Sequence, residues 1–327
     1  MCEKESRTRG RGSVAIFDYS RNRWYSQARK PIRRLETVHL DSDEKKSLLD
    51  DIQKYLDPRT KRLYQTRAMP YRRGYLFYGQ PGTGKSSLTF ALAGELGLDL
   101  FELKIPLVQG DQELAQMFQE LPPRCLVVLE DIDVVWTNRD SIEPPKLSQI
   151  PLNPPSSSSA PSPGFLRAPL PVEEAGRPQL RCTLSGLLNA LDGVSSSEGR
   201  IVIMTTNKFD RLDPALIRPG RIDRKVKFGN ISRKSAAEMF VRMFTPDNTG
   251  VPYSDGDQDG TGKQREKLST EALDQLASQF SAQVPEDTFT PSKLQGFFQE
   301  QLTSSAEEAV AGIAAWVEKE RPKYQYQ

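Results

Sequence analysis

The sequence predicts an α/β fold, a parallel sheet flanked by helices, followed by a small C-terminal helical lid. Three observations carry this. From Val38 onward, short apolar runs alternate with stretches of helical periodicity, the signature of strands buried between helices. One of those runs breaks into a glycine-rich loop and restarts as a helix, in GYLFYGQPGTGKSSL (74–88). Beyond residue 230 the strand pattern ends, and only helical spacing remains, with Leu273, Leu276 and Phe280 on one face.

Taken in order, residues 12–37 read as one or two strands around a polar turn, and Glu44–Leu56 as a helix. Gly74–Tyr78 is the strand before the glycine loop. Ser87–Leu96 carries Leu88, Leu92 and Leu96 at helical spacing. Leu98–Ile105 reads as a strand, Gln112–Gln119 as a helix and Cys125–Glu130 as a buried strand. Thr183–Val194 places Leu184, Leu187, Leu188 and Leu191 on one face, and Arg200–Thr206 and Arg224–Gly229 complete the sheet. In the tail, Thr290-Pro291 reads as a capping residue followed by proline at the first helical position. Residues 141–180 hold ten prolines and the run Ser156–Ser159, and residues 246–267 are rich in Gly and Asp. Both read as insertions too polar to bury a core. The expected organisation is 1–37, 38–230 and 231–327.

Composition narrows the function. The formal net charge of +2 gives no electrostatic footprint for nucleic acid over the whole chain. The first 37 residues are locally basic, with ten Lys/Arg against four acids; a phosphate-binding or targeting segment stays open, and a solvated surface is the plainer reading. Three cysteines, odd in number and unpatterned, make neither a disulfide scaffold nor a zinc site. A single histidine, His39, without H-E-x-x-H excludes a zinc peptidase. The longest apolar run, Val310–Val317, is far short of the roughly 20 residues of a spanning helix.

The loop itself states its chemistry. Gly79, Gly84, Lys85 and Ser86 satisfy G-x-x-x-x-G-K-[ST]. Glycines let backbone N–H groups turn inward on phosphate, Lys85 reaches the β- and γ-phosphates, and the Ser86 hydroxyl suits Mg²⁺. The helix N-terminus adds its positive dipole end. The candidate nucleotide-binding residues are Gly79, Gln80, Pro81, Gly82, Thr83, Gly84, Lys85, Ser86 and Ser87. Behind it, CLVVLEDID (125–133) is an apolar strand ending in carboxylates, where a metal and an attacking water need acidic partners. The strand IMTTN (203–207) ends in Asn207, whose amide can hold a water without adding charge. LDPALIRPGRIDRKV (212–226) sets Arg218 and Arg221 three apart around a Pro-Gly turn, with no obvious local acidic partner. In a phosphate-loop ATPase such a pair reads as arginine fingers.

Together, GQPGTGKS, the acidic strand end, TTN and LDPALIRPGRIDR are similar to the AAA family of ring ATPases. YRRGYLFYGQPGTGKSS, LPPRCLVVLEDID, LLNALDGV and the tail VPEDTFTPSKLQGFF further resemble the mitochondrial inner-membrane AAA chaperones that translocate the folded Rieske iron–sulfur protein in complex III assembly. The resemblance covers roughly residues 30–140, 181–245 and 268–322. It implies ATP and Mg²⁺ as cofactors, with Ser86 and Glu130 facing the metal. It implies Asp131 as catalytic base, Asn207 as the polar sensor, and Arg218 and Arg221 as fingers acting on a neighbour in a homo-oligomeric ring. The acid order, Glu130-Asp131, is reversed from the general AAA pattern and shared with this branch; Gln80 stands where Pro is commoner. The family carries a membrane helix and a β-rich domain ahead of the ATPase, so residues 1–37 are expected to be that domain's last strands and the chain an N-terminally truncated relative. The implied partner is a folded protein cargo, with no nucleic acid, and the implied location is mitochondrial. A nucleotide-binding scaffold without turnover and a DNA-remodelling AAA protein stay open as alternatives; the near-neutral charge and the lack of a basic reading motif argue against the second. The segment Ile105–Gly110, where such rings grip their cargo, holds no aromatic residue.

Overall fold

The computed structural model describes residues 12–20, 22–134, 182–193, 198–245 and 269–321. Both expected insertions, 141–180 and 246–267, lie outside the described residues. Strands β1 (Ser13–Ser20) and β2 (Arg23–Pro31) form a hairpin, followed by helices α1 (Ser42–Leu56) and α2 (Pro58–Thr66). The α/β unit then runs β3 (Arg73–Gly79), α3 (Lys85–Leu96), β4 (Leu100–Leu103), α4 (Asp111–Gln119), β5 (Leu126–Leu129), α5 (Leu184–Asp192), β6 (Ile201–Thr206) and β7 (Arg224–Phe228). The lid is α6 (Arg233–Phe244), α7 (Thr270–Gln283), α8 (Pro291–Glu300) and α9 (Ala306–Glu320).

The strands make one seven-stranded sheet in the order β2-β1-β4-β5-β6-β3-β7. Only β1 with β2 is antiparallel; every other neighbouring pair is parallel. The near-continuous apolar strands are explained by their two-residue period. Leu76, Val127, Leu129 and Met204 enter a core on one face with α4 and α5. Tyr75, Phe77, Leu126, Val128, Ile201 and Ile203 enter the core on the other face with α1 and α3. Both faces are therefore dry, as a parallel sheet requires.

The sheet runs across the boundary expected at residue 37. β1 lies parallel to β4, with Ile16, Phe17 and Asp18 opposite Leu100, Phe101 and Glu102. Phe17 stacks on Phe101 at 4.6 Å, Trp24 meets Phe101 edge-on at 5.1 Å, and Lys104 pairs with Asp18 at 3.1 Å. The hairpin thus covers what would be an open edge of β4.

Two elements differ from the sequence reading. The strand expected over Leu98–Ile105 spans only Leu100–Leu103, since Ile105–Leu107 turns into a short 3-10 segment around Pro106. Helix α2 was not expected: PRTKRLYQT buries no residue, so it has no apolar stripe to betray it. Its start is set by Asp57, which accepts from the Arg59 N–H at 2.7 Å ahead of Pro58.

The lid has its own core. Phe240, Phe280, Phe297 and Phe298 pack with Ile313 and Val317 from α9, and Ile231 belongs to this cluster. Helix α8 starts at Pro291 as expected, but the Thr290 hydroxyl does not cap it; it pairs with the Ser292 hydroxyl at 3.1 Å. Helix α9 begins with a reciprocal cap between Ser305 and Glu308. Among the described residues, no helix is long and apolar enough to cross a membrane.

Candidate functional site

The glycine loop joins β3 to α3, at the carboxyl ends of the parallel strands, where ligands bind in open α/β sheets. Gly82 and Gly84 have φ of +77° and +103°, left-handed values that side chains resist. At Gly82 a Cβ would also lie 2.2 Å from the Ser292 hydroxyl of α8, and the Ser292 N–H donates to the Gly82 carbonyl at 3.1 Å. The lid therefore rests directly on the phosphate loop. Inside the loop, the Thr83 hydroxyl donates to the Gln80 carbonyl at 2.8 Å. Gln80 and Pro81 are exposed, as is the Ser86 hydroxyl-bearing side chain.

Lys85 is buried, 7% exposed. Its ammonium donates to the carbonyls of Gly79 and Gln80 at 2.8 and 2.9 Å and to Asn207 Oδ1 at 2.7 Å. Burial lowers its pKa, and Asp131, Asp133 and Glu130 oppose that shift. Asn207 uses its other side-chain atom as well: Nδ2 donates to Asp131 Oδ1 at 2.8 Å. One amide orientation satisfies both contacts. Lys85, Asn207 and Asp131, contributed by three separate elements, thus form a continuous hydrogen-bonded row.

The row is braced from below. Asp133, 7% exposed, accepts from the Thr206 hydroxyl at 2.8 Å and from the Asn207 backbone N–H at 3.0 Å. The Asp131 N–H donates to Thr205 Oγ1 at 3.0 Å. The end of β5 is therefore bolted to the end of β6. Asp131 itself adopts φ +49°, an uncommon left-handed conformation for a side-chain-bearing residue. Backbone of this kind clusters at functional sites, where the surroundings enforce it. Glu130 is exposed beside it, with a free approach from solvent. Among the described residues no cluster of three or more metal-ligating side chains exists. Mg²⁺ takes one or two protein oxygens and completes its shell with substrate phosphates and water. Ser86 and Glu130, both exposed, are the oxygens expected from the sequence to face it.

Beside the loop opens a cleft of about 350 Å³, walled by three separate segments. Arg33, Thr37, Val38 and His39 form one wall, Gly82–Gly84 with Ser87 the floor, and the lid residues Met239, Met243 and Phe298 the other wall. His39 is pushed down to about 4, first by burial and then by Arg242, Lys45 and Arg33. It is neutral at physiological pH. The sequence reading missed this cleft, because its residues come from positions more than 200 apart and share no motif.

The two arginines part company. Arg218 is exposed and makes no ion pair among the described residues. Arg221 has no obvious acidic partner close by in sequence, but the fold brings it a distant one. Its Nε lies 2.6 Å from Asp192 at the end of α5, and its Nη1 donates to the Ala215 carbonyl at 2.6 Å. The partner was invisible locally because it sits 29 residues upstream. Neither arginine reaches Lys85, Asn207 or Asp131 of its own chain by a hydrogen bond.

Comparison with known proteins agrees with this fold. The model of the ATPase family associated with various cellular activities (AAA) matches residues 75–150 and 170–230. The model of the mitochondrial chaperone BCS1-like ATPase lid domain matches residues 233–315. The chain is 39% identical over 252 residues to the mitochondrial chaperone BCS1 of Bos taurus, covering 76% of this chain and 52% of that protein. It is 40% identical over 238 residues to the one of Homo sapiens, covering 71% and 49%. Against the probable mitochondrial chaperone bcs1 of Schizosaccharomyces pombe the identity is 40% over 214 residues, covering 65% and 40%. The chain spans about half the length of these curated relatives.

Proposed function

The chain belongs to the AAA ATPases and carries the lid of their BCS1-like branch, and on that footing we propose that it binds and hydrolyses Mg-ATP as a homo-oligomeric ring. The energy of hydrolysis moves a folded protein cargo in mitochondria, with the Rieske iron–sulfur protein of complex III assembly as the candidate. The observation that carries the enzymatic half is the row from Lys85 through Asn207 to Asp131.

The row supplies each requirement of water attack on a γ-phosphate. The Lys85 ammonium, released from the carbonyls of Gly79 and Gln80, meets the β- and γ-phosphates. The Asp131 carboxylate takes a proton from the attacking water, whose oxygen forms the new bond to phosphorus as the β,γ-bridging bond breaks. Asn207, held by Lys85 and Asp133, keeps that water between the two. Ser86 and Glu130 would hold Mg²⁺, which would supply charge neutralisation at the phosphate oxygens. Arg218, exposed and unpaired among the described residues, is free to reach a neighbour's nucleotide.

The cargo half is supported by the loop after β4. Leu107 is 70% exposed, and Ile105–Gly110 offers no aromatic paddle to grip an extended chain. A smooth loop fits a folded cargo passing through a wide ring. The relatives named above are mitochondrial chaperones, which supports the location.

Asp131→Asn tests the reading. It keeps the shape of the row and removes the base, so ATP binding is expected to survive while turnover is lost. Undiminished turnover would move the base to Glu130. Absence of turnover in the unmodified ring would leave a nucleotide-binding scaffold.

A further inference from the structure

We propose that Arg33 binds the α-phosphate of the nucleotide and thereby ties the β1–β2 hairpin to nucleotide occupancy. The inference rests on the nucleotide reading above and adds a ligand contact and a route of regulation to it.

Arg33 is the half-buried cation in the wall of the cleft. Its Nη1 donates to the Ser87 hydroxyl at 3.1 Å, its Nε to Thr37 Oγ1 at 2.9 Å and its Nη2 to the Thr37 carbonyl at 3.4 Å. All three acceptors are neutral. Among the described residues it makes no ion pair with a carboxylate. Burial lowers its pKa, and no acid offsets that shift. A guanidinium withdrawn from water without a counter-charge is costly to keep. An anionic ligand in the cleft removes the cost.

The contact with Ser87 fixes which part of the ligand that is. Ser87 lies in the first turn of α3, two residues past Lys85. The γ-phosphate end of the site is marked by Lys85 and Asp131. The loop backbone and the first helical turn behind it take the α- and β-phosphates. Arg33 approaches from that rear side, and its planar fork suits phosphate oxygens. The other cations near the cleft have acids beside them: Glu238 and Glu36 oppose the burial shift of both Lys45 and Arg242, and His39 is neutral.

Arg33 also follows β2 by two residues, since β2 ends at Pro31. Ordering its side chain on phosphate therefore anchors the C-terminal end of the hairpin. Without phosphate, Arg33 adds only its contacts with Thr37 and Ser87 to the strand pairing and the Ile32 N–H bond to the Gly12 carbonyl that hold that end.

The test is nucleotide affinity of the full chain, with Arg33→Gln and Arg33→Lys against the unmodified protein. Arg33→Gln should weaken ATP and ADP alike, by about tenfold, because both carry the α-phosphate. Arg33→Lys should recover part of the loss through its charge. Hydrogen exchange across residues 13–31 should slow on adding ADP to the unmodified protein and stay unchanged in Arg33→Gln. Equal affinity in Arg33→Gln and the unmodified protein overturns the assignment, as does a loss confined to ATP. If the unmodified protein binds neither nucleotide, the nucleotide reading itself fails, a result distinct from either of those.

Discussion

The ammonium of Lys85 lies 2.7 Å from the side-chain oxygen of Asn207, across 122 residues of sequence. That contact joins the phosphate loop to the end of β6 and couples Asn207 to the position of the Lys85 ammonium. Lys85→Ala is expected to abolish ATP binding. Asn207→Ala is expected to keep binding within a few fold and to cut turnover by about 10²–10³, the usual loss for one positioned polar group. Equilibrium binding and steady-state hydrolysis on the same preparations check both. Equal losses in the two variants would show that Asn207 serves binding and not turnover.

Asp133 should act through Asn207 without touching the ligand. Asp133→Ala removes the acceptor of the buried Thr206 hydroxyl proton and of the part-buried Asn207 N–H, a cost of about 1–3 kcal/mol for a fully buried group. The melting temperature should fall and kcat should drop, with KM little changed. Asp133→Asn retains an acceptor oxygen and should recover part of kcat. A variant with lower stability but unchanged kcat would reduce Asp133 to a structural role.

Arg218 and Arg221 should differ in their effect on folding. Arg218→Ala removes an exposed side chain, so stability should hold while turnover falls by about 10³–10⁵, as for other phosphate-loop fingers. Arg221→Ala also breaks the pair with Asp192 and the bond to the Ala215 carbonyl, so its melting temperature should fall by a few degrees. Mixing Arg218→Ala with Lys85→Ala protomers should restore some activity, since each supplies the half the other lacks. No rescue at any protein concentration would mean that both groups serve one chain.

His39 gives the fold a pH dependence. Its folded pKa is about 4 against an ordinary 6.5, so the unfolded chain binds the proton more readily between those values. The contribution is fully present above pH 6.5 and is lost as the pH falls toward 4. Being the chain's only histidine, it yields a single imidazole set in a proton spectrum. Those resonances should not titrate from about pH 8 to about pH 5, where an ordinary histidine does. A midpoint near 6.5 would show that the cleft does not shield the ring.

The loop after β4 should be a poor threading device. With Leu107 exposed and no aromatic beside it, the ring is expected not to unfold a stable tagged fluorescent protein when ATP is supplied. ATP-dependent loss of fluorescence would show that Leu107 and Val108 suffice as a grip.

The motif-borne part of the site was legible because its geometry is local. Gly79 to Ser86 encode a loop, and Glu130, Asp131 and Asn207 each follow directly on an apolar strand. Parallel pairing was legible too, from near-continuous apolar runs such as Leu126–Leu129 and Ile201–Met204. What escaped was set by distant partners. The pairing of Arg221 with Asp192, the bracing of Asn207 by Asp133 and the cleft around Arg33 and His39 all depend on which strands become neighbours. Helix α2 escaped for the opposite reason: it fully buries no residue and packs on the core through Tyr64, too little to show as a hydrophobic stripe. The hairpin was legible as strands, but its place beside β4 rests on Phe17 and Trp24 fitting Phe101.

That placement has a mechanical consequence. β1 and β4 run side by side in the same direction, locked by three residue pairs, an aromatic stack and the Lys104–Asp18 pair. A pull along β1 loads these bonds together in shear, whereas an antiparallel pair pulled from one end would peel open bond by bond. β4 leads straight into the Ile105–Gly110 loop. Tension arriving through the hairpin is therefore delivered, undivided, to the Ile105–Gly110 loop.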